Sequence, residues 1–163
     1  MDTQPPFIVG FEEWVGLPEL GLPSLKAKLD TGAKTSALHA VNIEPFCEGG
    51  MEKVRFKVHP VPRRPAIEIA CVARLVDERP VTSSNGEREL RYVIATVLEI
   101  GVERWPIELT LTNREGMRYR MLIGRQGMRA GMLIEPTASF RQPRRSHKVY
   151  RALLKPRAVD RAP

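Results

Sequence analysis

Lys28-Leu29-Asp30-Thr31-Gly32-Ala33-Lys34-Thr35-Ser36-Ala37-Leu38-His39 is the stretch on which the reading of the chain turns. The residues leading into it, Leu25-Lys26-Ala27-Lys28-Leu29, alternate apolar and basic side chains, the period of two expected of a half-buried strand. That strand runs directly into Asp30, and Gly32 permits a sharp turn after it. A carboxylate so placed stands at the end of a rigid element while the chain turns away. As an isolated tripeptide, Asp-Thr-Gly reads as a plain β-turn, because all three are ordinary turn residues. The surroundings decide between the two.

Outward from this point the segments read as strands: Phe7–Val9, Trp14–Val15, Val54–Val58, a more continuously apolar Ile67–Val76, Tyr92–Ile100 and Trp105–Leu111. Gly101-Val102-Glu103 reads as one hairpin turn. Thr82-Ser83-Ser84-Asn85-Gly86-Glu87 reads as another, with Asn-Gly supplying positive φ angles. Ninety residues beyond Asp30 lies Met121-Leu122-Ile123-Gly124-Arg125, which opens a short helix predicted over Gln126–Arg129. No internal repeat or second domain is evident. The chain reads as mostly β, a small closed or barrel-like sheet.

The order of apolar strand, Asp-Thr-Gly-Ala, Gly-tipped hairpin, second hairpin and Leu-Ile-Gly-Arg resembles the retropepsins, homodimeric aspartic proteases of retroviral type. More narrowly it resembles a bacterial retropepsin-like aspartic endopeptidase family. The matching segments are Trp14–Leu20, Lys28–His39, Trp105–Arg114 and the Leu-Ile-Gly-Arg box, within residues 8–136. The resemblance implies a retropepsin-like closed β-barrel with a flap hairpin and one short helix, assembled as a two-fold homodimer. It implies Asp30 as the catalytic residue, supported at the catalytic turn by Thr31, Gly32, Ala33, Leu122, Ile123 and Gly124. The hairpin residues Ser83, Ser84 and Gly86 become a flap over the substrate, or remain an ordinary exposed hairpin.

The physics of the reaction can be argued separately. Two facing carboxylates about 3 Å apart cannot both ionise, so one serves as general base toward water and the other as general acid toward the peptide carbonyl. The chain has four aspartates, Asp2, Asp30, Asp77 and Asp160, and one Asp-Thr-Gly. A second carboxylate of the same kind therefore requires a second copy of the chain. Where retroviral enzymes usually carry acidic residues after Asp-Thr-Gly-Ala, this chain has Lys34-Thr35. Arg125 then loses its expected carboxylate partner, and Lys34 and Arg125 become candidate substrate-binding cations for acidic side chains. Lys34 pointing outward into solvent is the alternative. The family is associated with ATP-grasp ligases that add glutamates to protein C-termini, which implies a glutamate-rich peptide or protein tail as substrate.

Composition bounds these readings. The 163 residues suit one domain with a single core, and 14 prolines and 12 glycines favour many short elements. The net charge of +7 is concentrated. Residues 141–163 hold eight Lys/Arg and one acid, leaving 18 basic and 18 acidic residues in 1–140. The expected division is a protease domain over 1–140 and a flexible basic tail over 141–163, either solvated or touching a polyanion such as RNA. No signal peptide or membrane-spanning run is read, so a soluble cytoplasmic protein is expected. Cys47 and Cys71 read as buried, reduced thiols. The family is also catalogued under a name implying zinc and ATP. The chain carries neither a His-Glu-x-x-His motif nor a phosphate-binding Gly-x-x-x-x-Gly-Lys loop, so no metal and no cofactor are expected. A silent peptide-binding or dimerisation module on the same fold is the non-enzymatic alternative.

Overall fold

The computed structural model describes residues 5–83, 85–113, 116 and 118–151. The strands are β1 (Phe7–Leu17), β2 (Leu22–Leu29), β3 (Ala37–His39), β4 (Val41–Glu48), β5 (Met51–Val58), β6 (Ile69–Thr82), β7 (Arg88–Ile100), β8 (Glu103–Thr112), β9 (Met121–Ile123) and β10 (Met132–Ser139). They join in the order β10-β1-β2-β9-β3-β8-β7-β6-β5-β4. A further pairing at Gly16↔Glu99 links β1 to β7. Six strands, β1, β2, β9, β3, β8 and β7, therefore pair in a ring. Long β6 and β7 project from it as a hairpin, and β5 and β4 extend the sheet. The core is filled from the inward faces: Leu25, Ala27 and Leu29 on β2 are buried while Lys28 is exposed. Ile94, Leu98, Leu109 and Ile123 meet them from the other strands.

Several expectations are corrected in detail. Phe7–Val9 and Trp14–Val15 belong to one strand, bent by a bulge between Gly10 and Glu12 where β10 presses in. A Cβ on Gly10 would stand 2.3 Å from the Ala138 carbonyl oxygen, so only glycine allows this approach. The run read as continuously buried alternates instead, with Ile69, Cys71 and Ala73 inside and Ala70, Val72 and Arg74 outside. Its apolar outward residues hid the period of two. The short helix at Gln126–Arg129 is a single 3-10 turn, Arg125–Gly127. Cys47 is exposed rather than buried. Burial pushes the Cys71 thiol up to about 12, so it stays protonated near neutrality.

The basic segment after Phe140 begins inside the packed structure. The backbone N–H groups of Arg141 and Gln142 donate to the carboxylate of Glu13 at 2.7 and 3.1 Å, and that of Gly10 does so at 2.7 Å. Glu13 is fully buried, and this set of donors is what makes its burial tolerable. Arg145 pairs with Glu99 at 2.6 Å. Tyr150, also fully buried, donates its hydroxyl to the Ser24 carbonyl at 2.6 Å and accepts the Ser24 N–H at 3.1 Å. Residues 141–150 thus strap β1 and β2, and 152–163 lie outside the described residues. Among the described residues no helix is long and apolar enough to cross a membrane. Glu13→Ala strands three backbone donors at once and should lower unfolding free energy by about 3 kcal/mol in urea titrations. A loss under about 1 kcal/mol would show that the strap is not held this way.

Candidate active site

Asp30 follows β2 directly, and its N–H donates to the Ile123 carbonyl at 2.9 Å, continuing the β2–β9 pairing by one step. Its Oδ1 accepts the Gly32 N–H at 2.9 Å, and its carbonyl accepts the Ala33 N–H at 3.2 Å. The turn expected of the tripeptide is therefore present, and it fixes the carboxylate. Opposite, the Ala33 and Lys34 carbonyls accept the N–H groups of Arg125 (2.8 Å) and Gln126 (3.0 Å). The Gly124 N–H donates to Ser36 Oγ at 3.1 Å. A Cβ on Gly124 would lie 2.5 Å from the Thr35 carbonyl oxygen and 2.9 Å from that of Ala33. The two segments meet backbone to backbone, and glycine is what the spacing demands.

Ser36 continues the connection toward the hairpin. Its carbonyl accepts both the N–H (3.0 Å) and the hydroxyl (2.7 Å) of Thr110 on β8. The Thr110 hydroxyl in turn accepts from Arg91 Nη1 on β7 at 3.4 Å. Arg91 Nε donates to Glu89 at 3.0 Å, and Thr112 donates to the same carboxylate.

These elements enclose a cleft of about 1080 Å³. Asp30, Gly32, Ala33, Lys34 and Thr35 line it from the loop after β2, Pro106, Ile107 and Glu108 from β8, and Arg79 to Ser83 from the β6 end of the hairpin. Arg91, Ala95 and Leu122 complete much of the wall. Lys34, left open between cleft and solvent by the sequence, lines the cleft. Arg125 does not; its Nη1 donates to the Thr31 carbonyl at 2.8 Å, which answers the missing carboxylate with a backbone acceptor. Thr31 is exposed beside the cleft, and Ile123 is buried in the core behind it. At the β6–β7 tip the Ser83 N–H donates to the Glu87 carbonyl at 2.8 Å and the Gly86 N–H to the Ser83 carbonyl at 2.9 Å. Gly86 has φ +86°, the positive angle expected at the glycine of the Asn-Gly pair. Ser83 lines the cleft, Gly86 sits away from it at the tip, and Ser84 lies outside the described residues. Among the described residues no three His, Cys, Asp or Glu side chains converge as metal ligands.

Arg79, Arg91, Glu108 and the Ser36–Thr110 link were not foreseen as site residues. The hairpin register held the signal for the arginines: equal steps back from Thr82 and Arg88 bring Arg79 opposite Arg91.

A mostly-β chain with a strand-end Asp-Thr-Gly packed on a Gly-Arg box and faced by a hairpin is of retropepsin type. The chain belongs to the RimB-like family, described as retropepsin-like aspartic endopeptidase RimB, whose profile matches residues 8–145. It is 50% identical over 134 residues to a probable alpha-L-glutamate ligase of Shewanella pealeana, covering 82% of this chain and 29% of that protein. A probable alpha-L-glutamate ligase of Desulfotalea psychrophila is 46% identical over 129 residues, 79% of this chain and 28% of the relative. The chain thus spans under a third of the length of the curated relatives it matches. A crystal structure of a Legionella pneumophila protein of unknown function is similar at 30% identity and TM-score 0.67, covering 83% of this chain and 97% of that one.

Gly124→Ala should force the Asp30 loop off the box and cost about 2 kcal/mol of stability in thermal or urea melts. A loss under about 0.5 kcal/mol would contradict the packing argument.

Proposed function

We propose that the chain is an aspartic endopeptidase that hydrolyses peptide bonds when the Asp30 carboxylates of two copies meet across a two-fold axis. The carrying observation is the Asp30 carboxylate in a cleft of about 1080 Å³, faced by the inner strand of the β6–β7 hairpin. One carboxylate, ionised, takes a proton from water, whose oxygen adds to the scissile carbonyl carbon. The other, protonated, gives its proton to the carbonyl oxygen. Collapse of the resulting diol breaks the C–N bond as the amide nitrogen takes up a proton. Thr31 and Gly32, exposed beside Asp30, leave a face free for the second copy, and the hairpin tip acts as the flap that excludes water.

The substrate in this reading is a glutamate-rich peptide or protein tail. Lys34 brings a cation into the cleft that has no carboxylate partner among the described residues. Relatives named probable alpha-L-glutamate ligases contain a stretch about half identical to this chain, which supports a glutamate-bearing substrate. The basic segment 141–163 offers a second contact to a polyanion.

Asp30→Asn should reduce hydrolysis of glutamate-rich peptides at least about 10³-fold while leaving sedimentation and melting behaviour intact. Retained cleavage would overturn the assignment. Lys34→Glu should depress cleavage of glutamate-rich peptides far more than of neutral ones; equal loss on both would remove Lys34 from substrate selection.

A further inference from the structure

Arg79 and Arg91 are directly opposed across the β6–β7 hairpin, three steps in from its last pair at Thr82↔Arg88. Residues opposed in this way carry their side chains on one face, where like charges repel. Both arginines line the Asp30 cleft. The Arg91 side chain is only 5% exposed. Its Nε and Nη1 have acceptors in Glu89 and, at a long 3.4 Å, the neutral Thr110 hydroxyl. Nη2 has no acceptor among the described residues. The open space that Arg91 borders is the cleft. Arg79 is held by Asp77 at 2.5 Å and Glu108 at 2.9 Å, both about half exposed.

For stability alone this arrangement is poor. Burying a guanidinium is costly before its partners compensate, and an apolar residue in a strand pair would serve as well. A local rule broken in this way inside a cleft marks a site. A substrate carboxylate reaching this point would exchange with the half-exposed Asp77 or Glu108 on Arg79 and receive the unused Nη2 donors of the planar Arg91 fork.

We propose that Arg79 and Arg91 form a carboxylate subsite at the base of the β6–β7 hairpin, which takes an acidic side chain of the peptide lying over Asp30. This rests on the protease reading and deepens it, since it assigns acidic selectivity to a pair of arginines with Lys34 as an auxiliary charge. The guanidinium fork, rather than charge alone, does the reading.

The test uses the full chain and two quenched fluorescent peptides identical except for a run of Glu against a run of Gln. Wild-type protein should prefer the Glu peptide, and Arg91→Met should shrink the Glu-to-Gln ratio of kcat/KM about tenfold, with Arg79→Met behaving alike. Arg91→Lys, which keeps the buried charge, should also lose selectivity, because an ammonium lacks the fork. An unchanged ratio in all three variants overturns the subsite. A variant that merely folds poorly lowers both rates together and leaves the ratio fixed, so the ratio separates the two effects. Should wild-type protein cleave neither peptide, the protease reading fails by itself. The subsite is then read from fluorescence anisotropy of the same two peptides bound to Asp30→Asn protein, with and without Arg91→Met. Preference for the Glu peptide that is lost with Arg91 supports the subsite, and absence of any preference overturns it.

Discussion

Gly124 presses its bare Cα against the carbonyls of Ala33 and Thr35 while its N–H reaches Ser36 Oγ, and the position of Asp30 depends on that contact. On either side, Asp30 donates to Ile123 and the N–H groups of Arg125 and Gln126 donate into the catalytic loop. A loop of seven residues at the end of a strand would ordinarily be mobile. Here the Asp30 N–H, the Ala33 and Lys34 carbonyls and Ser36 Oγ pair with backbone groups, and the Thr31 carbonyl with the Arg125 guanidinium, of a segment about ninety residues away, so the carboxylate is held by the fold as well as by its own turn. Preorganisation of this kind is what a carboxylate needs to act on water without rearrangement.

The same loop is coupled to the hairpin that faces it. Ser36, Thr110 and Arg91 form a line of hydrogen bonds from the Asp30 loop through β8 to β7, its last link a long 3.4 Å. The cleft therefore has its charge-bearing wall and its carboxylate on one network. On the far side of the ring, the Glu13 clamp and the Tyr150 anchor hold the strap against β1 and β2. They keep the start of the basic segment on the folded body rather than in solution.

Much of the fold and the position of the site were legible in the sequence, for identifiable reasons. The alternation Leu25–Leu29 placed a strand before Asp30 because that signal is local in the chain, and the family resemblance set the Leu-Ile-Gly-Arg box beside it. What stayed hidden was tertiary. The apolar outward residues of β6, Ala70 and Val72, made a half-exposed strand look fully buried. The basic composition of 141–150 concealed one tyrosine and two backbone donors that fix it in place, since charge counts cannot show where a main-chain N–H goes. Arg125, read as a cation without a carboxylate partner and open to substrate, donates to the Thr31 carbonyl instead, an acceptor that residue types do not reveal. The two arginines that face each other in the cleft lie twelve positions apart and meet only through the hairpin register.

The claim on which the rest turns is that one carboxylate from each of two chains makes the working site. Mixing wild-type and Asp30→Asn protein at a fixed total concentration, with free exchange of chains, tests it directly through hydrolysis of a glutamate-rich peptide. If both copies must supply Asp30, activity follows the square of the wild-type fraction, and an equal mixture retains roughly a quarter of the wild-type rate. A linear fall, with roughly half the rate remaining in the equal mixture, would show that each chain acts alone and would contradict the shared dyad.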